Sequence, residues 1–449
     1  MKWLAPFLAA PLLALATFAH AQVGEVEFSR GVGFAQSGSE APRTLGRGLP
    51  LREGDRLTTS EGGTAIIRLQ DGTRMTVRPN SELVLQQYQF RENAPDNSML
   101  MQLVRGGFRA VTGLISKNAP NAARVQTNTA TIGIRGTDFD ARICQGDCGA
   151  ESARITTPAR PSAVQASAKL VNARGEIFAV NAAGERRRLV DGGSVYPGEV
   201  VETARGSQGM LAFRDESRVS LGSQTRFRVD NFVYDSQNAG EGRFLATVLR
   251  GSVRALTGLI ARANTRNVGF STATATIGIR GTGFDVVCTG ACAGEPADPN
   301  TGLTLWTWLG SIEVGHGTLT ALQILQAGQG LFIPSSGPIV PVTNQPEVEG
   351  ERPDQANVPA NLFASSPVSD AAEGLFVFVR DGHIQIVSAS QILHLGRGET
   401  GFAAADGSTA RAQDIPKFID FDRIPLPNSN APLLTSILGE IGIRNVCSR

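Results

Sequence analysis

The sequence predicts an all-β protein that contains two copies of one module, and three observations support this. Apolar and polar residues alternate along short runs, as in half-buried strands, and no window longer than about ten residues keeps a helical stripe. Glycine and proline, 51 and 23 of the 449 residues, recur at the connections between those runs. Part of the chain also repeats itself, which is typical of duplicated domains. With 41% hydrophobic and 18% charged residues, the chain can bury substantial cores.

The first 21 residues have the features of a cleavable export signal. Lys2 precedes an apolar run from Trp3 to Ala19, and Ala19 and Ala21 provide the small residues that a signal peptidase requires. We therefore expect cleavage after Ala21 and a periplasmic mature protein. No later segment has about 18 consecutive apolar residues, so no further membrane span is expected. An uncleaved anchor is the alternative, which the short apolar run disfavours.

The first strands are predicted from alternation and from a turn signal. Ala65, Ile67 and Leu69 share one face of their run, opposite polar side chains. Asp71-Gly72 follows, and this pair supplies the positive φ that a tight hairpin needs. The sequence therefore predicts an antiparallel hairpin here.

The internal repeat keeps a nearly constant spacing. Two similar stretches between residues 104 and 140 recur between residues 249 and 285, both 145 positions later. Upstream, residues 53–85 match residues 197–229 after 144 positions. Chance would not preserve this register, so the chain contains two copies of one domain.

The repeat predicts the order of units along the chain. After the signal peptide at residues 1–21, it defines one domain at residues 22–165 and a second at residues 166–333. Residues 334–373 contain seven prolines and are predicted to be an extended linker, because proline interrupts a strand ladder. Residues 374–449 are predicted to be a partial β module. A smaller element, a glycine two positions before an isoleucine, recurs at residues 175–177, 310–312 and 382–384.

Four short motifs in a fixed order carry a resemblance to a known family. In the first copy they are Gly54-Asp55, Leu69-Gln70-Asp71-Gly72-Thr73, Val104-Arg105-Gly106-Gly107-Phe108 and Ile134-Arg135-Gly136-Thr137-Asp138-Phe139. The series resembles the FecR domain, the periplasmic module of ferric-citrate-type signal transducers, and the second copy repeats it. The resemblance implies two tandem β-roll, solenoid-like or sandwich domains. It also implies a module that senses or relays a signal by contact with an envelope protein, such as a receptor or sensor, without catalysis.

The chain departs from those transducers at its beginning. They resemble a three-part chain, in which a cytoplasmic domain that binds a sigma factor and one membrane helix precede the FecR domain. The predicted leader replaces both parts here. The chain therefore resembles the exported, stand-alone relatives, and we do not expect it to bind a sigma factor itself.

Four cysteines form two pairs at corresponding places of the copies. Cys144 and Cys148 enclose three residues with a central glycine, and so do Cys288 and Cys292. An oxidising periplasm favours a disulfide across each expected hairpin tip. A four-thiolate zinc site that joins the two tips is the alternative. Cys447 has no counterpart and is predicted to be free or intermolecular.

Four further side chains are candidates for binding. Arg135 and Arg280 alternate with isoleucines and project from the opposite strand face. A structural arginine that organises loops is the favoured interpretation, and ligand binding is the alternative. Trp306 and Trp308 share one strand face, where core packing is favoured over stacking on a glycan or on a partner's side chain.

The remaining composition argues against several function classes. The 42 basic and 41 acidic residues give no clustered positive excess for nucleic acid. Only His316, His383 and His394 follow the leader, and no pair has ligand spacing, so no metal, cofactor or catalytic residue is predicted.

The carboxylates that recur in both copies have local explanations. Asp71 and Asp215 are predicted to start turns, and Asp140 and Asp285 are predicted to pair with arginines. The sequence thus favours a non-enzymatic periplasmic binding or signal-relay protein. A structural envelope protein that contacts peptidoglycan or polysaccharide is the alternative. A hydrolase, which would need two carboxylates facing one cleft, is the third possibility.

Overall fold

A computed structural model describes residues 22–427, except residues 120, 121, 318 and 320. The predicted leader at residues 1–21 and Cys447 lie outside these described residues. Strands make up 50% of the structure and helices 8%, so the predicted all-β class is confirmed. Within the described residues, no helix is both long and apolar enough to cross a membrane.

The described residues contain thirty strands. The first eleven are β1 (Gln22–Arg30), β2 (Gly33–Ser37), β3 (Arg43–Thr44), β4 (Pro50–Arg52), β5 (Asp55–Thr59), β6 (Thr64–Leu69), β7 (Arg74–Val77), β8 (Glu82–Gln89), β9 (Ser98–Val111), β10 (Ala123–Gln126) and β11 (Thr131–Cys144). The next fifteen are β12 (Ala168–Arg174), β13 (Ile177–Val180), β14 (Arg186–Leu189), β15 (Ser194–Val195), β16 (Val200–Thr203), β17 (Gln208–Phe213), β18 (Arg218–Leu221), β19 (Arg226–Val233), β20 (Arg243–Leu256), β21 (Val268–Ser271), β22 (Ala275–Cys288), β23 (Gly302–His316), β24 (Gln323–Gln326), β25 (Gln329–Pro334) and β26 (Val340–Val342). The last four are β27 (Gly374–Val387), β28 (Ile392–Leu395), β29 (Thr400–Ala404) and β30 (Thr409–Ala412).

The helices in the part of the chain that the structure describes are all short. Four are α-helical: α1 (Leu114–Asn118), α2 (Cys148–Ala153), α3 (Leu259–Ala263) and α4 (Lys417–Asp420). Four single turns are 3₁₀-helical: Ala239–Glu241, Thr265–Asn267, Gly290–Ala293 and Ala360–Leu362.

The strands form two sheets of fifteen strands each, with matching orders. The first sheet runs β3-β2-β5-β8-β9-β10-β11-β27-β29-β30 and the second runs β14-β13-β16-β19-β20-β21-β22-β23-β25-β26, with the other strands as branches. We call the strands of the first sheet, β1–β11 with β27–β30, the first unit, and those of the second sheet, β12–β26, the second unit. The two units are therefore equivalent in strand number and connectivity.

The last four strands complete the first sheet and do not form a separate module. β27 pairs antiparallel with β11, from Thr131 opposite Val387 to Cys144 opposite Gly374. β23 takes the same place beside β22 in the second sheet. The whole second unit is thus inserted between the eleventh and twelfth strands of the first, whereas the sequence indicated a partial module at residues 374–449. Without β27, β11 would present a long unpaired edge.

Each unit has its own hydrophobic core. The first core includes Leu375, Val377 and Val379 from β27, together with side chains of β1–β11. Gly106 and Gly251, with φ of +69° and +86°, lie midway along β9 and β20, where each strand exchanges one set of neighbours for another. Each long strand therefore connects two groups of strands within one sheet.

The proline-rich interval lies against the second unit for much of its length. Pro341 belongs to β26, which pairs with β25 at the edge of the sheet, where a missing N–H is tolerated. Ala356 and Leu362 are buried against β12 and β17. Arg218 Nη1 donates hydrogen bonds of 2.9 Å to the carbonyl oxygens of Pro353 and Ala356. These contacts hold a segment that the sequence predicted to be an extended linker.

Candidate functional site

Asp71-Gly72-Thr73 builds a hydrogen-bonded corner in the first unit, and Asp215-Glu216-Ser217 builds the equivalent corner in the second. The carboxylate of Asp71 accepts bonds from the N–H (3.1 Å) and the hydroxyl (2.9 Å) of Thr73, and its carbonyl oxygen accepts from the N–H of Leu114 (2.9 Å). A Cβ on Gly113 would lie 2.2 Å from that carbonyl oxygen, so only glycine fits. The local explanation predicted for these carboxylates is confirmed. The second unit has the same contacts through Asp215, Ser217, Gly258 and Leu259.

The threonine of the Arg-Gly-Thr motif ties neighbouring strands together. The Thr137 hydroxyl donates to the carbonyl oxygen of His383 (2.9 Å), and the Thr137 N–H donates to Thr112 Oγ1 (2.8 Å). Gly136, with φ of +58°, makes the turn that aims this residue. The motif therefore positions β27 on β11. The second unit repeats these contacts through Thr257, Gly281, Thr282 and Ser311.

The buried aspartates pair with arginines, as predicted. Asp140 accepts from Arg78 Nη2 at 3.0 Å and from Arg380 Nε at 2.7 Å. Asp285 accepts from Arg254 Nε at 2.7 Å and from Nη2 at 3.0 Å. Both carboxylates are fully buried.

Arg135 and Arg280 lie at equivalent places of different units and have different partners. Arg280 forms an ion pair with Glu313 on β23. Arg135 Nη2 donates to the neutral amide oxygen of Gln385 at 3.1 Å, on the equivalent position of β27. Burial lowers the pKa of Arg135, and the charge of Asp191 partly opposes this shift. The structure does not bring the two arginines together.

The two tryptophans of the second unit cover glycines. Trp306 is 8% exposed, and a Cβ on Gly330 would lie 2.6 Å from its ring. The Trp308 ring covers Gly283 in the same way, at 2.4 Å, and the Arg352 guanidinium lies 5.4 Å from its centroid. Both rings therefore contact protein on the face of β23 that points away from the core.

The cysteines form two disulfides. Cys144 bonds to Cys148 with an S–S distance of 2.02 Å, and Cys288 bonds to Cys292 at 2.10 Å. The prediction that the first disulfide lies across a hairpin tip is wrong, because Cys144 ends β11 whereas Cys148 begins α2. All four sulfurs are used in these bonds, so they do not supply the thiolates of the alternative zinc site. In the described part of the chain, no three His, Cys, Asp or Glu side chains are grouped as metal ligands.

A buried ionic cluster joins the two units. Lys169 of β12 lies 2.9 Å from Oε2 of Glu399, and Arg411 Nε of β30 lies 2.6 Å from the same oxygen. All three residues are at most 2% exposed. Burial raises the pKa of Glu399, but Lys169 and Arg411 together lower it by a larger amount, so the net shift is downward. Burial also lowers the pKa of Lys169, to about 8. Sequence reasoning missed this cluster because Lys169 and Glu399 are 230 positions apart.

Two histidines meet beside this cluster. His383 Nε2 and His394 Nδ1 are 3.3 Å apart. Burial and neighbouring cations lower the pKa of His394 to about 4 and that of His383 well below its ordinary value. The His394 ring lies against Gly192 of the second unit, where a Cβ would be 2.0 Å from its Cγ. Their adjacency has no signal in the sequence, where they lie on different strands.

A groove of about 680 Å³ lies between the units and is the candidate site. Its first wall includes Lys117, Arg135 and His383 of the first unit, and its second wall is the segment from residue 181 to residue 199. Basic side chains outnumber acidic ones, so the groove favours an anionic ligand. The basic residues of the lining are Lys117, Arg135, Arg186, Arg187, Arg188 and Arg397, and the acidic ones are Glu185, Glu199 and Asp381.

Comparisons with known proteins find one family whose model matches two parts of the chain. The family described as FecR protein matches residues 55–155 and 199–294, which are the equivalent parts of the two units. Two crystal structures of a Parabacteroides distasonis protein, proposed to be an anti-sigma factor, align at 15% identity with a TM-score of 0.25. The aligned part covers 32% of this chain and 59% of that chain. No curated protein matches the chain.

Proposed function

We propose that this chain, which carries two tandem FecR regions, is a non-enzymatic periplasmic binding or signal-relay protein that acts through contact with an envelope protein. One observation carries the proposal: the FecR motif occurs in both units, and in both its polar residues serve the scaffold. The surfaces that differ between the copies are then available for recognition. The family relationship supports a role in signalling.

The fold offers two means of contact. Sheet edges accept strands of other proteins, and the basic groove between the units accepts acidic groups. The Lys169–Glu399–Arg411 cluster joins the units and therefore fixes the position of one wall of the groove relative to the other. An envelope receptor or sensor with an exposed acidic segment is the partner that this surface fits.

Export is supported by the two disulfides, because such bonds persist in oxidising compartments. Amino-terminal sequencing of the protein purified from a periplasmic fraction is expected to begin at Gln22. Recovery from the cytoplasm with Met1 retained would contradict the proposed compartment.

Cross-linking capture tests the function itself. The full chain is expressed with a carboxyl-terminal tag, cross-linked in intact cells and purified from envelope extract, with an untagged chain as the control. We expect one envelope protein in stoichiometric amount. Recovery of bulk peptidoglycan or polysaccharide alone would favour a structural or glycan-binding role and would overturn the proposal.

A further inference from the structure

We infer that the open edge of β14 binds an acidic, extended segment of a partner protein as an added antiparallel β-strand inside the groove. This inference rests on the proposed function and names the chemistry of its partner. It is carried by the backbone of β14, by its arginines and by a difference between the two units.

The hydrogen-bond pattern shows which backbone groups are open. The hairpin of β13 and β14 closes with a bond from the Asn181 N–H to the Glu185 carbonyl oxygen. Hydrogen-bonded and non-hydrogen-bonded pairs alternate in antiparallel strands, so Val180–Arg186 and Phe178–Arg188 are non-hydrogen-bonded pairs. Arg186 and Arg188 therefore direct their N–H and C=O groups away from β13, toward the open edge. Among the described strands, β14 pairs with β13 alone.

The other three strands that end the two main sheet orders are protected. β3 has only two residues and directly follows Pro42. β26 contains Pro341, which cannot donate a backbone hydrogen bond. β30 is covered by Ser366, whose N–H donates to the Arg411 carbonyl oxygen at 2.9 Å. β14 is four residues long and lacks proline.

The three arginines of β14 are of two kinds: one has a counterpart in the first unit, and two do not. Arg187 contacts Glu199 at 2.7 Å, and its counterpart in the first unit, Arg43, contacts Asp55 at 2.6 Å. This pair is common to both units and fixes the hairpin. Arg186 and Arg188 are specific to the second unit.

The positions of the additional arginines in the first unit hold Pro42 and Thr44. The side chains of Arg186 and Arg188 are 52% and 41% exposed and form ion pairs with Glu202 at 3.6 Å and with Glu176 at 3.8 Å. The Arg186 guanidinium also lies over the Phe178 ring, 3.4 Å from its centroid. They share one face of β14, so acidic residues at alternate positions of an added strand would lie beside them.

The opposite wall of the groove also carries positive charge and therefore also favours acidic side chains. Lys117 and Arg135 line the groove across from β14, and Arg397 lines it near Tyr196. An added strand of four residues extends about 14 Å and would lie between these cations and β14. Backbone pairing at the edge and positive charge on both walls together specify an acidic strand over a neutral or basic one.

Fluorescence anisotropy tests the inference on the full mature chain. The probe is a labelled ten-residue peptide of alternating Glu and Thr, with a Lys-Thr peptide and an acidic peptide with Pro at alternate positions as comparisons. We expect saturable binding of the Glu-Thr peptide that weakens with salt, and at least tenfold weaker binding of both comparison peptides. Equal binding of the proline peptide would overturn strand addition, and equal binding of the Lys-Thr peptide would overturn the acidic preference.

Two sets of variants locate the site. R186Q/R188Q is expected to weaken binding of the Glu-Thr peptide at least fivefold, whereas R68Q/R105Q, which removes two exposed arginines outside the groove, is expected to leave it unchanged. R186P, which installs the residue of the first unit, is expected to weaken binding more than R186Q, because it also removes an edge N–H. Equal losses in R186Q/R188Q and R68Q/R105Q, or equal binding by R186P and R186Q, would overturn the inference.

Failure of the inference about β14 and failure of the proposed function give different results. If cross-linking captures an envelope protein equally well with the wild-type chain and with R186Q/R188Q, the inference about β14 fails and the proposed function stands. If no envelope protein is captured while the Glu-Thr peptide binds, the proposed function fails.

Discussion

In each unit, one glycine packs against the hydrogen-bonded corner that begins at Asp71 or Asp215. The sequence repeat contains this glycine but does not show why glycine is required there. Gly258 is required because a Cβ would lie 2.0 Å from the Asp215 carbonyl oxygen. Gly113 and Gly258 recur at the same place of the repeated stretches, but their role as close-contact positions follows only from the structure. The same holds for Thr137, whose partner His383 is 246 positions away.

Substitution of Gly258 by alanine tests this explanation. Gly258→Ala is expected to destabilise the second unit by about 1–3 kcal/mol through overpacking. Trp306 and Trp308 are the only tryptophans after the leader, so their fluorescence during urea unfolding reports on this unit. Gly240→Ala, whose new Cβ would lie 3.8 Å from the Cβ of Ala263, serves as the control and is expected to cost less than about 0.5 kcal/mol. Equal stability of the two variants would contradict the steric argument.

The buried histidines make stability depend on pH. The folded-state pKa of His394 is about 4, against an ordinary value of 6.5. Between pH 6.5 and 4 the unfolded chain binds a proton that the folded chain does not, so the free energy of unfolding decreases as the pH falls. The slope from this residue is up to about 1.4 kcal/mol per pH unit.

Urea unfolding at several pH values between 4 and 7 measures that slope. His394→Gln is expected to flatten it, whatever its effect on absolute stability. The same change at His383 removes the other buried imidazole and is expected to act in the same direction. An unchanged slope in both variants would exclude these histidines as the cause.

Strands with an alternating pattern were predictable as elements, and irregular connections were not. The β6–β7 hairpin follows from alternation and from Asp71-Gly72, and the structure has it, with φ of +86° at Gly72. The proline-rich interval was predicted to be extended. Its contacts with β12 and β17 depend on side chains distant in sequence, which local pattern does not reveal.

The disulfides are elements of local reinforcement. Each closes a loop with a sequence separation of 4, so the chain-entropy model gives about 2 kcal/mol for its contribution. Cys288→Ala/Cys292→Ala is therefore expected to fold and to show a lower urea midpoint by tryptophan fluorescence. Cys144→Ala/Cys148→Ala, in the first unit, is the matched control and is expected to leave that signal unchanged. Failure of the first variant to fold would mean that the bridge determines the fold of its unit.

The junction between the units is a property of the whole molecule. Glu399 is the shared ion-pair partner of Lys169 and Arg411 in a fully buried environment, where its negative charge offsets one of their two positive charges. Glu399→Gln is expected to cost about 3–5 kcal/mol of unfolding free energy, because it leaves two buried cations without their carboxylate. Glu25→Gln, which removes an exposed partner of Arg68, is expected to cost at most about 1 kcal/mol. Similar losses in both variants, measured by urea unfolding, would contradict the role of the cluster.

The insertion of one unit into the other was not predictable from the repeat. The spacings of 144 and 145 relate the first eleven strands of one unit to those of the other, whereas β23 and β27 begin at Gly302 and Gly374, only 72 positions apart. The small glycine element at residues 310 and 382 carried that second spacing. It did not indicate which sheet β27 joins, because strand pairing over such a distance depends on three-dimensional packing.

The central claim is that the returning strands β27–β30 complete the first unit and so form one wall of the groove. The most direct test is the urea unfolding curve, by far-UV circular dichroism, of residues 22–165 expressed alone and together with residues 366–427. We expect a cooperative transition only when both fragments are present, because the core otherwise lacks the side chains of β27. A cooperative transition of residues 22–165 alone, unchanged by the second fragment, would contradict the claim.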